Sequence, residues 1–171
     1  MSDALARDGL GTPQPDDPAV RAAVEELATD YAHAIDDGDF ERWPGFFTED
    51  AHYQVITRAS HEQNLPLGII TCQGRGMLED RIQALRNANI FEPHVYNHLV
   101  GRPQLWLDEA GRLRARSNLQ VVRTMQDGGM SLFAVGRYLD EIVFEADGPR
   151  YRDRRVVLDS KRVDILLVLP L

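Results

Sequence analysis

Histidine, cysteine and carboxylate side chains are the groups that could hold a metal ion or move a proton, and this chain has five histidines and one cysteine. His94 and His98 are four positions apart, and two histidines at that spacing can bind the same metal ion only if they lie on a helix. Pro93 and the alternation that follows it predict a strand instead, in which four residues span about 13 Å. We therefore expect each to be a hydrogen-bonded core or interface histidine, with no metal.

The other candidate cofactor motifs are incomplete. A Rieske cluster needs two cysteines and two histidines, and Cys72 is the only cysteine. His33, His52 and His61 are scattered over a predicted helix, strand and loop, without the facial arrangement of a mononuclear iron site. The Gly-Arg-Gly turn at 74–76 lacks the third glycine of a dinucleotide loop, and no βαβ pattern follows it. The sequence therefore predicts no catalytic, cofactor-binding or metal-binding residue in this chain.

Alternating arginines mark one predicted strand. Arg112, Arg114 and Arg116 share a face by the period-two rule, and the apolar residues between them share the other. Such a stripe on an acidic protein is either a solvated sheet face or an interface for a partner's carboxylates. The same two alternatives apply to a second basic group, which comprises Arg150, Arg152, Arg154 and Arg155.

Composition limits the classes of protein that this chain can belong to. The net charge of −8 argues against nucleic acid and anionic membrane surfaces as partners. One cysteine permits no internal disulfide and fits a reducing cytoplasm. Residues 1–17 have no apolar run, so we expect a mobile N-terminal arm, not a signal peptide or a membrane anchor. Residues 18–171 are then predicted to form a single domain.

The first half of the chain is predicted to be mainly helical. An Asp-Asp-Pro start and an apolar face predict a helix from residue 18 to about residue 37, followed by a short aromatic-rich helix near 40–47. Strands are expected at 51–58 and 67–71, with a polar loop at 60–66 between them. Leu78, Ile82 and Leu85 then mark an amphipathic helix.

The second half is predicted to be a meander of long strands at 95–107, 113–125, 130–144 and 151–159, joined by Asp- and Gly-rich turns. Helices followed by such a meander predict an α+β fold with helices on one face of a sheet. The segment 130–139 is apolar on both faces, with Met130, Leu132, Ala134 and Tyr138 assigned to one of them. The terminal ILLVLPL is apolar as well. Either the fold itself or another subunit must cover these surfaces.

Four segments carry a family resemblance. MLEDRIQALRNANIFEPHVYNHLVG, ERWPGFFTEDAHYQV, FAVGRYLDEI and the final DILLVLPL resemble the small (beta) subunit of bacterial aromatic-ring-hydroxylating dioxygenases, from about Tyr31 to Leu171. Within that family the chain is most similar to the branch that acts on aromatic acids such as terephthalate, anthranilate or salicylate. The resemblance implies a cone-shaped, curved antiparallel sheet with N-terminal helices, the nuclear transport factor 2-like (cystatin-like) fold that ketosteroid isomerases share.

The resemblance also implies a function and partners. The chain would be a structural, non-catalytic subunit that stabilises a large (alpha) oxygenase subunit, in which the Rieske [2Fe–2S] cluster and the mononuclear Fe(II) would lie. It would also contact copies of itself, as a trimer within an α3β3 assembly. We expect the interface to include side chains from the amphipathic helix, from the segments 94–98 and 112–116, and from the tail. They are Arg81, His94, Tyr96, His98, Arg112, Arg114, Arg116, Leu167, Leu169 and Leu171.

A stand-alone enzyme is the alternative. An isomerase or dehydratase of the cone fold would place an acid and a base in the cavity of the cone. The residues that would serve are Tyr31, Asp36, Tyr53 and His98. An interior packed with apolar side chains would favour the subunit, and a deep pocket with a carboxylate or histidine of perturbed pKa would favour the enzyme.

Overall fold

Helix α1 (Pro18–Asp36) opens the part of the chain that the computed structural model describes, residues 12–66, 68–87, 92–161, 167 and 169–171. The helix begins where the Asp17 carboxylate accepts a hydrogen bond from the Ala19 N–H at 2.8 Å. It ends before Gly38, whose φ of 74° suits glycine. Its buried face confirms the predicted first helix. Of the N-terminal arm predicted for 1–17, residues 1–11 lie outside the described residues.

The shorter helices do not all lie on the same face of the sheet. In the described ranges they are a 3₁₀ helix η1 (Phe40–Phe46), α2 (Arg58–Glu62) and α3 (Arg75–Asn87). Helix α3 buries Leu78, Ile82 and Leu85, which confirms the amphipathic pattern. Helix α2 corrects the loop predicted at 60–66, because Thr57 accepts a hydrogen bond from the Ser60 N–H and so caps a short helix.

One mixed sheet holds the strands of the described residues. Its order is β2-β1-β7-β6-β5-β3, and β4 also pairs with β5. The bounds are β1 Phe47–Thr57, β2 Ile70–Gln73, β3 His94–Val100, β4 Gln104–Leu107, β5 Leu113–Met125, β6 Met130–Glu145 and β7 Gly148–Leu158. Strand β5 has the predicted bounds, and the expected second strand lies at 70–73 instead of 67–71.

Two details of the sheet differ from the sequence-based prediction. Strands β1 and β7 pair in parallel, so the sheet is mixed and not wholly antiparallel. The long strand predicted at 95–107 is interrupted at 101–103, where Pro103 has no N–H to donate to the ladder. The α+β class is confirmed, with α1 and α3 on one face of the sheet; the short α2 lies at the opposite face, where His61 lines a hollow with His52 and Arg155.

The sheet has an inner face under α1 and α3 and an outer face away from them. Helix α1 packs against β3 and β7, and α3 packs against β1 and β2. The inner face carries the hydrophobic core, whose largest fully buried side chains include Trp43, Tyr31, Tyr53 and Tyr138. None of the described helices is both long and apolar enough to cross a membrane.

Candidate functional site

A buried ion pair lies in the interior of the fold. Arg154 of β7 is only 1% exposed, and it makes a bidentate contact with Asp140 of β6, with Nε–Oδ1 and Nη2–Oδ2 distances of 2.9 Å. Tyrosine rings surround its guanidinium, with ring centroids 4.2, 3.9 and 3.7 Å from Cζ; they belong to Tyr31, Tyr138 and Tyr151. The buried charge is therefore matched by a carboxylate and by aromatic faces.

Burial shifts the pKa values of this cluster, and it raises the pKa of the Asp140 carboxyl although the Arg154 guanidinium opposes that rise. Burial would lower the pKa of Arg154, but the Asp140 carboxylate and the nearby tyrosines outweigh it and hold that pKa well above its usual value. Burial raises the pKa of the Tyr31, Tyr53 and Tyr138 hydroxyls. These tyrosines are therefore poorly suited to proton transfer near pH 7.

The end of the chain lies against the same cluster. Leu171 is fully buried, and its carbonyl oxygen accepts hydrogen bonds from the hydroxyls of Tyr31 at 2.7 Å and Tyr53 at 3.1 Å. The Leu171 N–H lies 3.1 Å from the Tyr53 hydroxyl, and Trp43 Nε1 donates to the Tyr31 hydroxyl at 3.0 Å. The space at the centre of the fold is thus filled by aromatic rings and by the chain's own tail.

The tail residues proposed for an interface are placed in this chain's own core. Leu167, Leu169 and Leu171 are all buried, and Arg81 Nη2 donates to the Leu167 carbonyl at 3.2 Å. Burial within the same fold, one of the two alternatives left open by the sequence, is what the structure has. The other apolar tail residues, 165, 166 and 168, lie outside the described residues.

His98 is a core histidine, and it lies on the strand that the sequence predicted. Its Nδ1 is 2.5 Å from Asp36 Oδ1, and its backbone N–H donates to Asp36 Oδ2 at 2.9 Å. Its side chain is fully buried, as is most of Tyr96, so neither of these expected interface residues faces outward. His94 is half-buried, with Nδ1 2.8 Å from the Glu92 carbonyl oxygen.

The four residues of the enzyme alternative do not form one site. Tyr31 and Tyr53 meet at the Leu171 backbone, whereas Asp36 and His98 form a separate pair that joins α1 to β3. A hollow of about 480 Å³ lies nearby, between α1 and residues 98–103. The His98 imidazole does not open into it, because that side chain has no exposed surface. In the described ranges, no group of three or more metal-ligating side chains is close enough to hold an ion.

The outer face carries a charged half near β4 and the end of β6. Arg114 contacts Glu141 at 3.0 Å, Arg112 contacts Asp108 at 2.8 Å, and Arg116 is exposed on the same face. This confirms the predicted one-sided stripe on β5. A groove of about 430 Å³ crosses this half of the sheet; its lining includes Trp106, Arg112, Arg114, Leu139, Glu141 and Arg155.

The other half of the outer face carries what we name the apolar patch. It consists of Val95 and Leu99 on β3, each 57% exposed, and of Met130 and Leu132 on β6, 75% and 61% exposed. Val122 of β5 lies between the two strands, because it pairs with both Asn97 and Leu132. The sequence indicated that 130–139 is apolar on both faces and left open whether the fold or another subunit covers it; the described residues of this chain leave Met130 and Leu132 exposed.

A β-bulge decides which side chains of β6 lie on the outer face. The register between β5 and β6 shifts between Val121 and Val122, so that Ala134 pairs with Val121 and Leu132 pairs with Val122. Phe133 is the extra residue, and its ring stacks on Tyr96 of the inner face at 5.1 Å. Met130 and Leu132 therefore point outward, whereas Ala134 and Tyr138 point inward, which corrects their predicted assignment to a single face.

Comparisons with known proteins identify the family. Residues 18–155 match the family model described as the SnoaL-like domain. The small subunit of anthranilate 1,2-dioxygenase from Burkholderia cepacia is 37% identical over 145 residues, which cover 85% of this chain and 90% of that subunit. The terminal oxygenase component subunit beta 2 of terephthalate 1,2-dioxygenase from Comamonas sp. is 40% identical, covering 82% and 92%. The chain belongs to the family of aromatic-ring dioxygenase small subunits.

Solved structures agree with this family. A beta subunit from Novosphingobium aromaticivorans, assigned to an aromatic-ring-hydroxylating dioxygenase, has a TM-score of 0.81 at 31% identity, covering 90% of this chain and 97% of that one. The beta subunit of benzoate 1,2-dioxygenase from Burkholderia mallei shares the fold, with a TM-score of 0.67 at 19% identity, covering 87% and 95%. The resemblance found in the sequence and the cone-like α+β fold of a dioxygenase small subunit are both confirmed.

Proposed function

We propose that the chain is the structural small subunit of a multicomponent dioxygenase that hydroxylates an aromatic acid, and that it supplies no group to the reaction. The observation that carries this proposal is the filled interior. Where an enzyme of this fold would need a cavity, Arg154, its ring of tyrosines and Leu171 occupy the space. The names of the relatives support an aromatic acid, because anthranilate and terephthalate are both aromatic carboxylates.

The proposed partner is a large oxygenase subunit that holds the Rieske [2Fe–2S] cluster and the mononuclear Fe(II). This chain does not fit the Rieske cluster, because it has a single cysteine, Cys72, and that residue is buried. Within the described ranges it does not fit the Fe(II) either, because no three histidine, cysteine or carboxylate side chains are close enough to bind one ion. We further propose an α3β3 assembly in the cytoplasm, in which residues 18–171 act as one unit. The isolated chain is then expected to be inactive.

The charged half of the outer face is the proposed contact with the large subunit. Arg116 is exposed there, and Arg112 and Arg114 lie beside it, paired with Asp108 and Glu141. Guanidinium groups arranged along one strand suit the carboxylates of a partner and set the register of docking. His94 and Arg81 are half-buried and lie outside this contact, because His94 pairs with Met125 at the other end of β5 and Arg81 is on α3, which packs against β1 and β2.

An isomerase or dehydratase is not favoured. Its four candidate residues are split between two places, and the tyrosines have pKa values that burial raises away from neutrality. The curated relatives at 37% and 40% identity are dioxygenase subunits.

Co-expression with the cognate large subunit tests the proposal. Tyr31→Phe, Asp36→Asn, Tyr53→Phe and His98→Gln would each be compared with the parent for the amount of assembled complex and for turnover per complex. We expect turnover per complex to stay within about threefold, because the reacting iron lies in the other chain; deleting a general acid or base costs about 100-fold or more. Arg116→Glu serves as the docking control, and it should lower the yield of complex.

A loss of about 100-fold per assembled complex in any of the four variants would contradict the structural role. Turnover of a small substrate by the isolated chain, abolished by one of them, would move the assignment to the enzyme class. A wild-type chain that does not co-purify with the large subunit would contradict the subunit assignment itself.

A further inference from the structure

A hollow on the outer face of the sheet, between helix α2 and strands β1 and β7, has no role in the proposed function. Its volume is about 250 Å³. Three of its lining side chains carry or can acquire a positive charge, namely His52, His61 and Arg155, and no lining residue within the described ranges is acidic. In a chain with a net charge of −8, this local excess of positive groups indicates a site for an anion.

The hollow is formed in advance of any ligand. Gln54 Nε2 donates to the Pro66 carbonyl oxygen at 3.2 Å, and the Ile69 N–H donates to the Val55 carbonyl oxygen at 2.7 Å. Gly68 allows the segment after α2 to come this close to β1, because a Cβ at that position would lie 2.5 Å from the Val55 carbonyl oxygen. These contacts fix that segment as one wall, so a ligand does not have to order it.

Asp153 orients the positively charged wall without filling the hollow. Its Oδ1 lies 2.9 Å from His52 Nδ1, and its Oδ2 lies 3.3 Å from Arg155 Nε. The second contact falls short of hydrogen-bond geometry, and Arg155 Nε is a buried donor without a hydrogen-bond partner in the described part of the chain. Since buried donors are nearly always paired in folded proteins, an acceptor supplied by a ligand would stabilise Arg155.

The electrostatic potential at His61 also favours an anion. Burial lowers the pKa of this imidazole, and the charges of Arg155 and Arg137 lower it further. Glu62 opposes them with a smaller effect. The neighbouring side chains therefore leave a positive potential at this place, and a negative group in the hollow would favour protonated His61.

We propose that this hollow binds a small organic carboxylate. Guanidinium and imidazolium donors suit the two carboxylate oxygens. Ile56, Leu65 and Pro66 line the remainder and offer apolar contact, which inorganic phosphate does not use. The volume lies below the roughly 300–1,000 Å³ of pockets for drug-sized ligands, so the apolar body of the ligand is no larger than about one ring. This inference does not rest on the proposed function.

Isothermal titration calorimetry of the full-length chain with sodium benzoate tests the proposal. At pH 6 we expect a dissociation constant below about 1 mM, whereas benzamide, which has a similar shape and no charge, should bind at least about tenfold more weakly. Arg155→Gln should raise the dissociation constant about tenfold or more, because it removes a charged donor. The matched control is Arg152→Gln, the same change on the same strand at a side chain 51% exposed, against 42% for Arg155. The control should stay within about twofold, and far-UV circular dichroism should show both variants folded.

His61→Gln supplies a second measurement. Because an anion favours protonated His61, the affinity of the wild-type chain for benzoate should rise as the pH falls from 8 to 6. The variant should lose part of that rise. The other charged groups around the imidazole are unchanged in the variant, so the lost part belongs to His61; they are Arg155 and Asp153 on β7, His52 on β1, Arg137 on β6, and Arg58 and Glu62 on α2.

Several results would overturn the proposal. They are the absence of saturable binding up to about 10 mM benzoate, equal weakening by Arg155→Gln and Arg152→Gln, and a pH dependence that His61→Gln leaves unchanged. Inorganic phosphate that binds more tightly than benzoate would overturn the carboxylate assignment in favour of a general anion site. None of these results bears on the proposed function, which co-purification with the large subunit tests.

Discussion

The interior cluster and the apolar patch reverse the usual distribution of side chains in a folded protein. The interior buries one arginine and one aspartate, Arg154 and Asp140. The outer face instead exposes four apolar side chains, Met130, Leu132, Val95 and Leu99. Both arrangements are costly by themselves. In the interior, the carboxylate of Asp140 and three tyrosine rings compensate Arg154 within the same chain.

The difference lies in where the compensation comes from. Arg154 is compensated by Asp140 and by tyrosine rings of its own chain, and these side chains together with Leu171 fill the interior. Met130 and Leu132 have no such cover within the described residues, where they are 75% and 61% exposed. A subunit whose role is assembly is expected to have this combination of a closed interior and an open face.

The largest effect is expected when the interior pair is broken. Arg154→Met should lower the free energy of unfolding by about 3–5 kcal/mol, because it leaves the Asp140 carboxylate buried without a counter-charge. Urea denaturation measures the change. The control is the double variant Arg154→Met/Asp140→Leu, which removes both charges and should recover much of the loss. Equal losses in the single and double variants would show that the ion pair is not the cause.

The second largest effect is expected at alkaline pH, which should lower the free energy of unfolding. Burial raises the pKa of Tyr31, Tyr53, Tyr138 and Tyr151, so the unfolded chain releases these protons near pH 10 while the folded chain keeps them. The stabilisation is complete below the unfolded pKa and is lost as the pH rises. Between pH 10 and 11 each tyrosine should remove about 1 kcal/mol from the free energy of unfolding.

This chain suits the pH measurement, because its single lysine, Lys161, adds little other titration near pH 10. Burial also raises the pKa of Cys72, which acts in the same direction. Urea unfolding at pH 8, 10 and 11 gives the dependence, and a Tyr138→Phe variant should reduce it by one group. A free energy of unfolding that does not fall above pH 10 would contradict the burial of these hydroxyls.

The smallest expected effect is a difference in stability between two variants, each of which removes one buried tyrosine hydroxyl. Tyr53→Phe should cost about 1–2 kcal/mol, because the Tyr53 hydroxyl contacts both the carbonyl oxygen and the N–H of Leu171. Tyr138→Phe is the matched control. Its hydroxyl is buried without a hydrogen-bond partner in the described part of the chain, so its removal should change stability by less than about 0.5 kcal/mol. A Tyr138→Phe loss equal to that of Tyr53→Phe would indicate an ordered water at Tyr138.

Much of the fold was predictable, because it depends on local periodicity. The buried face of α3 follows from Leu78, Ile82 and Leu85, and the stripe on β5 follows from three arginines at alternate positions. Both patterns lie within unbroken elements, where the period of 3.6 or of 2 holds throughout. The family could also be recognised, since its motifs are contiguous segments.

Periodicity in the sequence could predict only part of the ion pair between Arg154 and Asp140. Arg154 was grouped with the neighbouring basic residues as a surface feature, although it shares the parity of Val156 and Leu158, both buried. That parity was the available signal. Its partner Asp140 is on another strand, and only the register of β6 with β7 brings the two together.

The sequence alone determined helices α1 and α3, the long strands β5 and β6, the acidic composition and the family of this chain, because each of these is encoded in residues near one another. The tertiary structure decided which face Met130 and Leu132 occupy, because one extra residue at Phe133 inverts the alternation that follows it. It also decided that Leu171 ends inside the fold, where hydroxyls from α1 and β1 bind its backbone. Contacts of this kind join distant segments, and no local pattern specifies them.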